Sequence, residues 1–188
     1  MPATDALRDE LLDRLRALHA LKAGALRMFD PMLGAVAAAR DGDELHEVSD
    51  LLGKMHSAFS GHRATTAHHV ADLAARIDAL GGRSARVRAQ ALGAGAALRG
   101  RLAARGGMNF GAAASEAFVF EHLEIAQAHL IEQLAQRIGD GATADLAREI
   151  RCQDEEMAAT VGRNWTNVLS LALATKGLPT LRPPEEAS

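Results

Sequence analysis

The chain is poor in cysteine and aromatic residues, on which disulfide-bonded proteins, thiolate metal sites and tyrosyl-radical enzymes depend. Among its 188 residues there is one cysteine and no tyrosine, and aromatic residues make up only 3%. Because Cys152 is alone, an intrachain disulfide cannot form and a thiolate metal cluster is excluded. The absence of tyrosine excludes a tyrosyl radical or an electron-relay tyrosine beside a metal. This cysteine usage is consistent with a reducing compartment.

Strong charge and long apolar runs are also missing. The formal net charge is -3, and no block of lysine and arginine stands out, so we expect no nucleic-acid partner. Asp5, Asp9 and Glu10 occupy the N-terminal stretch where a signal peptide needs a basic start. No uninterrupted run reaches the roughly 18 apolar residues that a membrane span needs. We therefore expect a cytoplasmic protein with no membrane partner.

What the chain does contain favours helices. Hydrophobic residues make up 48% of it, and alanine, leucine and arginine dominate, a composition that suits helices and supplies strands poorly. We expect an all-α fold in one domain over residues 1–175. Residues 176–188 contain Pro179, Pro183 and Pro184 and are predicted to form a flexible tail.

Leucine periodicity and turn residues divide the chain into helices. Four long helices are predicted, with a short one between the second and third; their ranges are 4–39, 44–80, 84–104, 112–138 and 143–174. Pro31 is expected to kink or divide the first helix. Two tight hairpins joined by a connection of about thirty residues indicate an antiparallel four-helix bundle with one crossover, the topology of ferritin-like folds.

Two carboxylates interrupt the apolar face of the third helix. Glu121 and Glu124 lie three residues apart, so both should point inward, although they could also sit at the edge of that face. A buried pair of charges is costly unless a cation, proton or hydrogen-bond donor meets it. Lys22 lies in the apolar stripe of the first helix, between Leu18 and Leu26, and its ammonium could pair with either glutamate or extend to solvent.

Histidines form the other polar cluster, on the second helix. His62, Thr65, His69 and Asp72 share one face by three- and four-residue spacing. His62 and His69 are two turns apart, about 10 Å along the axis, so they cannot bind one small ion together. At most one of them would join a metal site with Glu121 and Glu155.

Several short motifs resemble the YciF-like branch of the ferritin-like superfamily, bacterial stress-associated proteins. The most specific is Glu-His-Leu-Glu-Ile-Ala at 121–126, after the crossover segment. The resemblance runs from Leu18 to Trp165, roughly four fifths of the chain. The other matching pieces are Leu-His-Ala at 18–20, Ala-Leu-Arg-Met at 25–28, His62, Arg63, Thr66, His69, Ala-Leu-Gly at 79–81, Ile-Gly-Asp at 138–140, Asp-Glu at 154–155 and Met-Ala at 157–158.

The resemblance implies the remains of a dimetal site. Ferritin-like centres take acids or Glu-x-x-His groups from all four helices. Two positions depart from the family pattern, because Lys22 and Thr65 stand where the family carries acids. The remaining ligand-type residues that the resemblance implies are Glu121, Glu124, a histidine of the second helix (His62 or His69), and Asp154 or Glu155, of which Glu155 is the expected ligand.

Three functions remain open. The leading one is a ferritin-like protein with a degenerate, metal-free site, acting in stress physiology by assembly or partner binding, without enzymatic activity or a cofactor. The second is a working iron or manganese oxidase, peroxide scavenger or metal binder. The third is a purely structural bundle whose polar core positions specify helix register. A homodimer is expected, through the long, alanine-rich helices two and four. No phosphate-binding loop or nucleophilic constellation suggests other chemistry.

Overall fold

The computed structural model describes residues 2–82 and 109–180, and within these ranges the chain is helical with no strand. This confirms the all-α expectation. The elements are α1 (Pro2–Asp41), a 3₁₀ segment (Asp43–Val48), α2 (Ser49–Ala79), α3 (Phe110–Ile138), α4 (Gly141–Arg163) and α5 (Trp165–Ala174). The predicted helix over 84–104 and the crossover connection lie outside the described residues. So does the part of the expected tail beyond Thr180.

The helices pack as two hairpins against each other. The helix α1 lies along α2, α3 lies along α4, and the hairpins meet through α1 with α3 and α2 with α4. The short α5 packs on α3 and contacts the 3₁₀ segment. The result is a helical bundle with its apolar core between the hairpins. No helix in the described part of the chain is long and apolar enough to cross a membrane.

A glycine and an aspartate make the tight turn between α3 and α4. Gly139 ends α3 with a φ of 76°, the left-handed conformation that glycine adopts without a steric cost. Asp140 then caps α4 by accepting a hydrogen bond from the backbone N–H of Thr143 at 3.1 Å. Arg76 of α2 donates to the Asp140 carboxylate at 2.5 Å and to the Thr143 hydroxyl at 2.6 Å. These bonds tie the end of α2 to the second hairpin.

Two predicted helix limits are wrong. The helix α2 begins at Ser49, because the residues before it form a 3₁₀ segment that buries Leu45 and Val48, three residues apart, in the core. The fourth predicted helix is two, α4 and α5, because the Asn164 side chain donates to the carbonyl of Thr160 at 2.7 Å and interrupts the backbone pattern. The helix α1 continues through Pro31 without dividing.

The core is layered along the bundle axis. An apolar layer of leucine, isoleucine and alanine fills one end, and a second apolar region with Phe29, Phe59 and Met157 lies toward the other. The first, which we call the apolar layer, contains Leu11, Leu15, Leu18, Leu73, Ile77, Ala128, Ile131, Ala135, Ala144, Ala147 and Ile150. Between the two regions, buried polar side chains enter the core from all four long helices.

Candidate functional site

Most of the buried polar side chains form one layer of the bundle, which we call the polar layer. Seven residues belong to it, and each is buried because the helical period that buries the neighbouring leucines and alanines also turns these positions inward. They are Lys22 from α1, His62, Thr66 and His69 from α2, Glu121 and Glu124 from α3, and Asp154 from α4.

Lys22 lies at the centre of this layer with no exposed surface. Its ammonium donates to Glu124 Oε2 at 2.8 Å and to Asp154 Oδ1 at 2.5 Å, and both carboxylates are fully enclosed. Burial alone would lower the pKa of Lys22, but the charges of Glu124 and Asp154 outweigh it and raise that pKa. The side chain therefore does not extend to solvent; it links α1 to α3 and α4 as a cation.

Glu121 has a different partner from Glu124. His62 Nε2 lies 2.8 Å from Glu121 Oε1, a distance at which a ring N–H donates to a carboxylate. The Phe29 ring packs against the His62 imidazole in an edge-to-face arrangement, with the ring centroids 5.6 Å apart. The two glutamates of the 121–126 string are thus both inward, as predicted, but they belong to two separate pairs.

His69 lies beside the lysine and not at the His62 pair. Its Nε2 is 2.7 Å from Gln153 Oε1, and its Nδ1 is 4.0 Å from Asp154 Oδ1. Burial, reinforced by the positive charge of Lys22, lowers the pKa of His69 to about 4. His69 is therefore neutral near pH 7.

Two candidate residues of the sequence lie outside the polar layer. The side chain of Glu155 is 46% exposed and pairs with Arg151 at 2.8 Å on the surface of α4, while its neighbour Asp154 faces the core. Thr65 is half-buried, and the fully buried threonine is Thr66. Glu155 and Thr65 are thus each one residue away from the position that faces the core.

The helical period could have identified both residues. On α4 the buried positions Ile150, Asp154, Met157 and Val161 follow one another at spacings of four, three and four. On α2 the buried run of Phe59, His62, Thr66, His69 and Leu73 follows the same rule. Between His62 and His69, the helical spacing allows either Thr65 or Thr66 on the buried face. The longer pattern, which includes the buried Phe59 and Leu73 on either side, favours Thr66.

The polar layer holds more acids than permanent cations. Three carboxylates face one ammonium, and burial together with the neighbouring charges of Asp154 and Glu121 raises the pKa of Glu124 to about 8, although Lys22 opposes that shift. Burial also raises the pKa of Asp154 to about 6. Near neutral pH, Asp154 is therefore the ionised partner of Lys22, and Glu124 retains a proton.

The donor set suits one metal ion better than two. Ligand atoms of His62, Glu121 and Asp154 lie within 4.8 Å of one another, and Glu121 Oε2 and Asp154 Oδ2 have no protein hydrogen-bond partner. One imidazole and two carboxylates are suitable ligands for a divalent ion. A second ion does not fit, because Lys22 holds one oxygen each of Glu124 and Asp154, and no carboxylate is among the buried residues described on α1 and α2.

Comparison with known proteins gives a family but not an activity. None of the curated proteins matches the chain. One family model, described as a domain of unknown function, matches residues 6–174, which includes every residue of the polar layer and the whole of α2, α3, α4 and α5. The chain therefore belongs to the family described as domain of unknown function DUF892.

Proposed function

We propose that this chain is a ferritin-like four-helix protein in which the Lys22 ammonium occupies the place of a dimetal centre. In this proposal the protein acts by assembly or partner binding in stress physiology, and not by oxidising iron or scavenging peroxide. The observation that carries the proposal is the fully buried Lys22, bonded to Glu124 and Asp154. The two-hairpin packing and the resemblance of the 121–126 string to YciF-like proteins support the ferritin-like part.

Charge explains why Lys22 and a dimetal centre exclude each other. At an effective dielectric constant of 20, two unit charges about 4 Å apart repel by about 4 kcal/mol, and a divalent ion doubles that cost. The ammonium also uses the two carboxylates that would bridge or hold the ions. An ion pair across three helices would keep the bundle in register without any metal, a known use of buried polar groups.

A single-ion site is the second candidate, and the His62, Glu121 and Asp154 cluster favours it. Such a site would make the protein a metal binder, or the remnant of an iron or manganese oxidase. Asp154 would have to share its carboxylate between the ion and Lys22, whose ammonium lies 2.5 Å from Asp154 Oδ1. Direct competition for this one residue makes the candidate weaker than the first.

Metal content of protein purified from cells supplemented with iron and manganese separates the two candidates. We expect far less than one metal ion per chain. Near-stoichiometric metal that a His62→Ala substitution removes would establish the single-ion site and overturn the proposal. Metal that survives His62→Ala, Glu121→Gln and Asp154→Asn would lie elsewhere on the chain.

A gain of binding tests the geometry directly. The double substitution Lys22→Glu, Thr66→Glu removes the ammonium and places an acid on each of α1 and α2 at buried positions. We expect this variant to bind Fe²⁺ or Mn²⁺ far more tightly than the parent in equilibrium dialysis. The matched control is Thr175→Glu, Lys176→Glu, the same change of charge at two exposed positions beyond α5. Equal binding by parent, variant and control would show that the polar layer is not a former metal centre.

A further inference from the structure

A cavity of about 280 Å³ lies between α2, α4 and α5 and opens to solvent on one side. We call it the α2–α5 cavity. Its inner wall is part of the core, since Phe59, Met157 and Val168 line it and are buried. The small side chains of Ala58 and Ala114 also line it and leave room for it. Among the described residues that line the cavity, none belongs to the polar layer, so the two sites are separate.

Most of the cavity surface is apolar, and the polar groups at its edge are already bonded. The Asn164 side chain donates to the carbonyl of Thr160 at 2.7 Å, and Asn167 donates to Asn164 Oδ1 at 2.8 Å. Water inside the cavity would therefore find few free partners, whereas a hydrocarbon chain would gain by leaving water. The lining suits a small molecule with an apolar body.

One cation stands at the open side of the cavity. Lys54 of α2 is the only charged residue, and the only exposed one, among the described residues that line it. Within residues 2–82 and 109–180, no carboxylate lies within salt-bridge distance of Lys54. A ligand carboxylate at this edge would meet an unpaired ammonium and no like charge.

We propose that the α2–α5 cavity binds a medium-chain aliphatic carboxylate, with its hydrocarbon chain among the core residues and its carboxylate at Lys54. A water molecule takes up about 30 Å³ in the liquid, so the cavity has the volume of about nine waters. A straight chain of about eight carbons matches that volume. Met55 and Met157 line the cavity, and their unbranched side chains adjust to the shape of such a chain.

This ligand site goes beyond the proposed function and does not depend on it. Stoichiometric metal at His62 would overturn the metal-free centre and leave the α2–α5 cavity as it is. Failure to bind a carboxylate would overturn the ligand site and leave the polar layer as it is.

Calorimetric titration of the full chain with octanoate, octanol and octylammonium tests the choice of ligand. We expect octanoate to bind at one site per chain, and octylammonium to bind about tenfold more weakly or not at all, because Lys54 attracts one head group and repels the other. Octanol, which has no charge, should fall between them. An absence of octanoate binding, or equal binding of octylammonium, would overturn the proposal.

The variant Lys54→Met tests the position of the carboxylate, because it keeps an unbranched apolar stem and removes the charge. We expect it to bind octanoate roughly fivefold more weakly and octanol as the parent does. The matched control is Lys176→Met, at an exposed lysine beyond α5, which should keep the affinity of the parent for octanoate. An unchanged affinity in Lys54→Met, or the same loss in both variants, would contradict the pairing with Lys54.

Filling the cavity tests the position of the chain. Ala58 lines the cavity and is half-buried, so Ala58→Leu should fit in the fold and occupy part of the volume. We expect this variant to lose measurable binding of octanoate and octanol alike, and Ala71→Leu, at an exposed position of the same helix, to keep both. Thermal melting of the two variants shows whether Ala58→Leu folds. Equal binding by a folded Ala58→Leu would place the ligand elsewhere.

A series of chain lengths needs only the parent protein. From butanoate upwards, each added methylene should raise the affinity by about fourfold while the chain is being buried. The rise should stop near octanoate, where the cavity is filled. An affinity that does not change with chain length, or that still rises by the same factor beyond decanoate, would overturn the proposal even if every variant failed to fold.

Discussion

The apolar layer and the polar layer occupy neighbouring levels of the same bundle, and they are built by different rules. In the apolar layer, Leu15, Leu18 and Ile150 need only the right volume and an inward position, because the hydrophobic effect is not directional. In the polar layer, a buried charged group needs a specific partner at hydrogen-bond distance, as Lys22 has in Glu124 and Asp154. One layer therefore depends on shape, and the other on pairing.

The difference has consequences for stability. A cavity in the apolar layer costs the contacts that are lost, and the surrounding side chains relax partly into it. A missing partner in the polar layer leaves a charge in a low-dielectric interior, where relaxation helps little. Stability in the polar layer should also depend on pH, because its acids titrate near neutrality.

The largest effect is expected from Lys22→Met, which keeps most of the side-chain volume and removes the charge. Glu124 and Asp154 would then lie buried without their cation, so we expect the free energy of unfolding to fall by about 3–5 kcal/mol at pH 8. Urea denaturation followed by circular dichroism measures the change. Leu18→Ala, one helical turn away in the apolar layer, should cost about 2–5 kcal/mol by creating a cavity.

The pH dependence of these two losses distinguishes the layers more sharply than their size. Glu124 binds a proton as the pH falls below about 8 and Asp154 as it falls below about 6, so the loss caused by Lys22→Met should shrink with falling pH. The loss caused by Leu18→Ala should stay constant. A pH-independent loss in Lys22→Met would mean that its cost is one of packing, and the contrast between the two layers would then fail.

The same contrast explains how far the sequence could predict the structure. Leucine spacing predicted the long helices and the inward faces of α1 and α3, and it placed Lys22, Glu121 and Glu124 in the core. Local hydrogen bonds set the details that it missed, such as the Asn164 side chain that separates α4 from α5. The spacing of apolar residues predicts where a helix runs, but it does not show where one side chain forms a hydrogen bond with the backbone and interrupts the helix.

Pairing within the polar layer was less predictable. The carboxylate that meets Lys22 depends on how α1 and α3 are rotated and shifted along their axes. Glu121 and Glu124 are separated by only about 4.5 Å of axial rise, so a small shift exchanges one partner for the other. The sequence therefore allowed either Glu121 or Glu124 as the partner. The geometry gives Lys22 to Glu124 and gives Glu121 to His62.

A smaller effect is expected from pH alone, through Glu124. Its pKa is raised from 4.5 to about 8 in the folded protein, so between these values the folded state holds a proton that the unfolded state has lost. Stability from this group is complete below about pH 4.5 and is lost as the pH rises through 8. Between pH 6.5 and 8.5, above the titration of Asp154 and His69, we expect a decrease of about 1–2 kcal/mol in the free energy of unfolding.

A matched pair of variants tests whether ionisation of Glu124 causes this decrease in stability. Glu124→Gln keeps an oxygen that can accept from Lys22 but cannot ionise, so the decrease between pH 6.5 and 8.5 should disappear. Glu156→Gln, at an exposed position of α4, should retain it. If both variants retained the decrease, the titrating group would lie outside the polar layer.

The smallest effect is expected from Glu155→Gln. Comparing it with Asp154→Asn tests which of these two adjacent residues faces the core. Glu155→Gln removes a charge that pairs with Arg151 on the surface, where an ion pair contributes at most about 1 kcal/mol, and we expect a change below about 0.5 kcal/mol. Asp154→Asn, one residue earlier, weakens the buried bond to Lys22 and should cost about 1.5–3 kcal/mol. Urea unfolding of both variants at pH 7 measures the two losses of stability. The variants are nearly matched, because each substitution removes one carboxylate and the two positions are adjacent in α4. A larger loss at Glu155 than at Asp154 would mean that α4 presents the other face to the core, and the assignment of the polar layer would have to be redrawn by one residue.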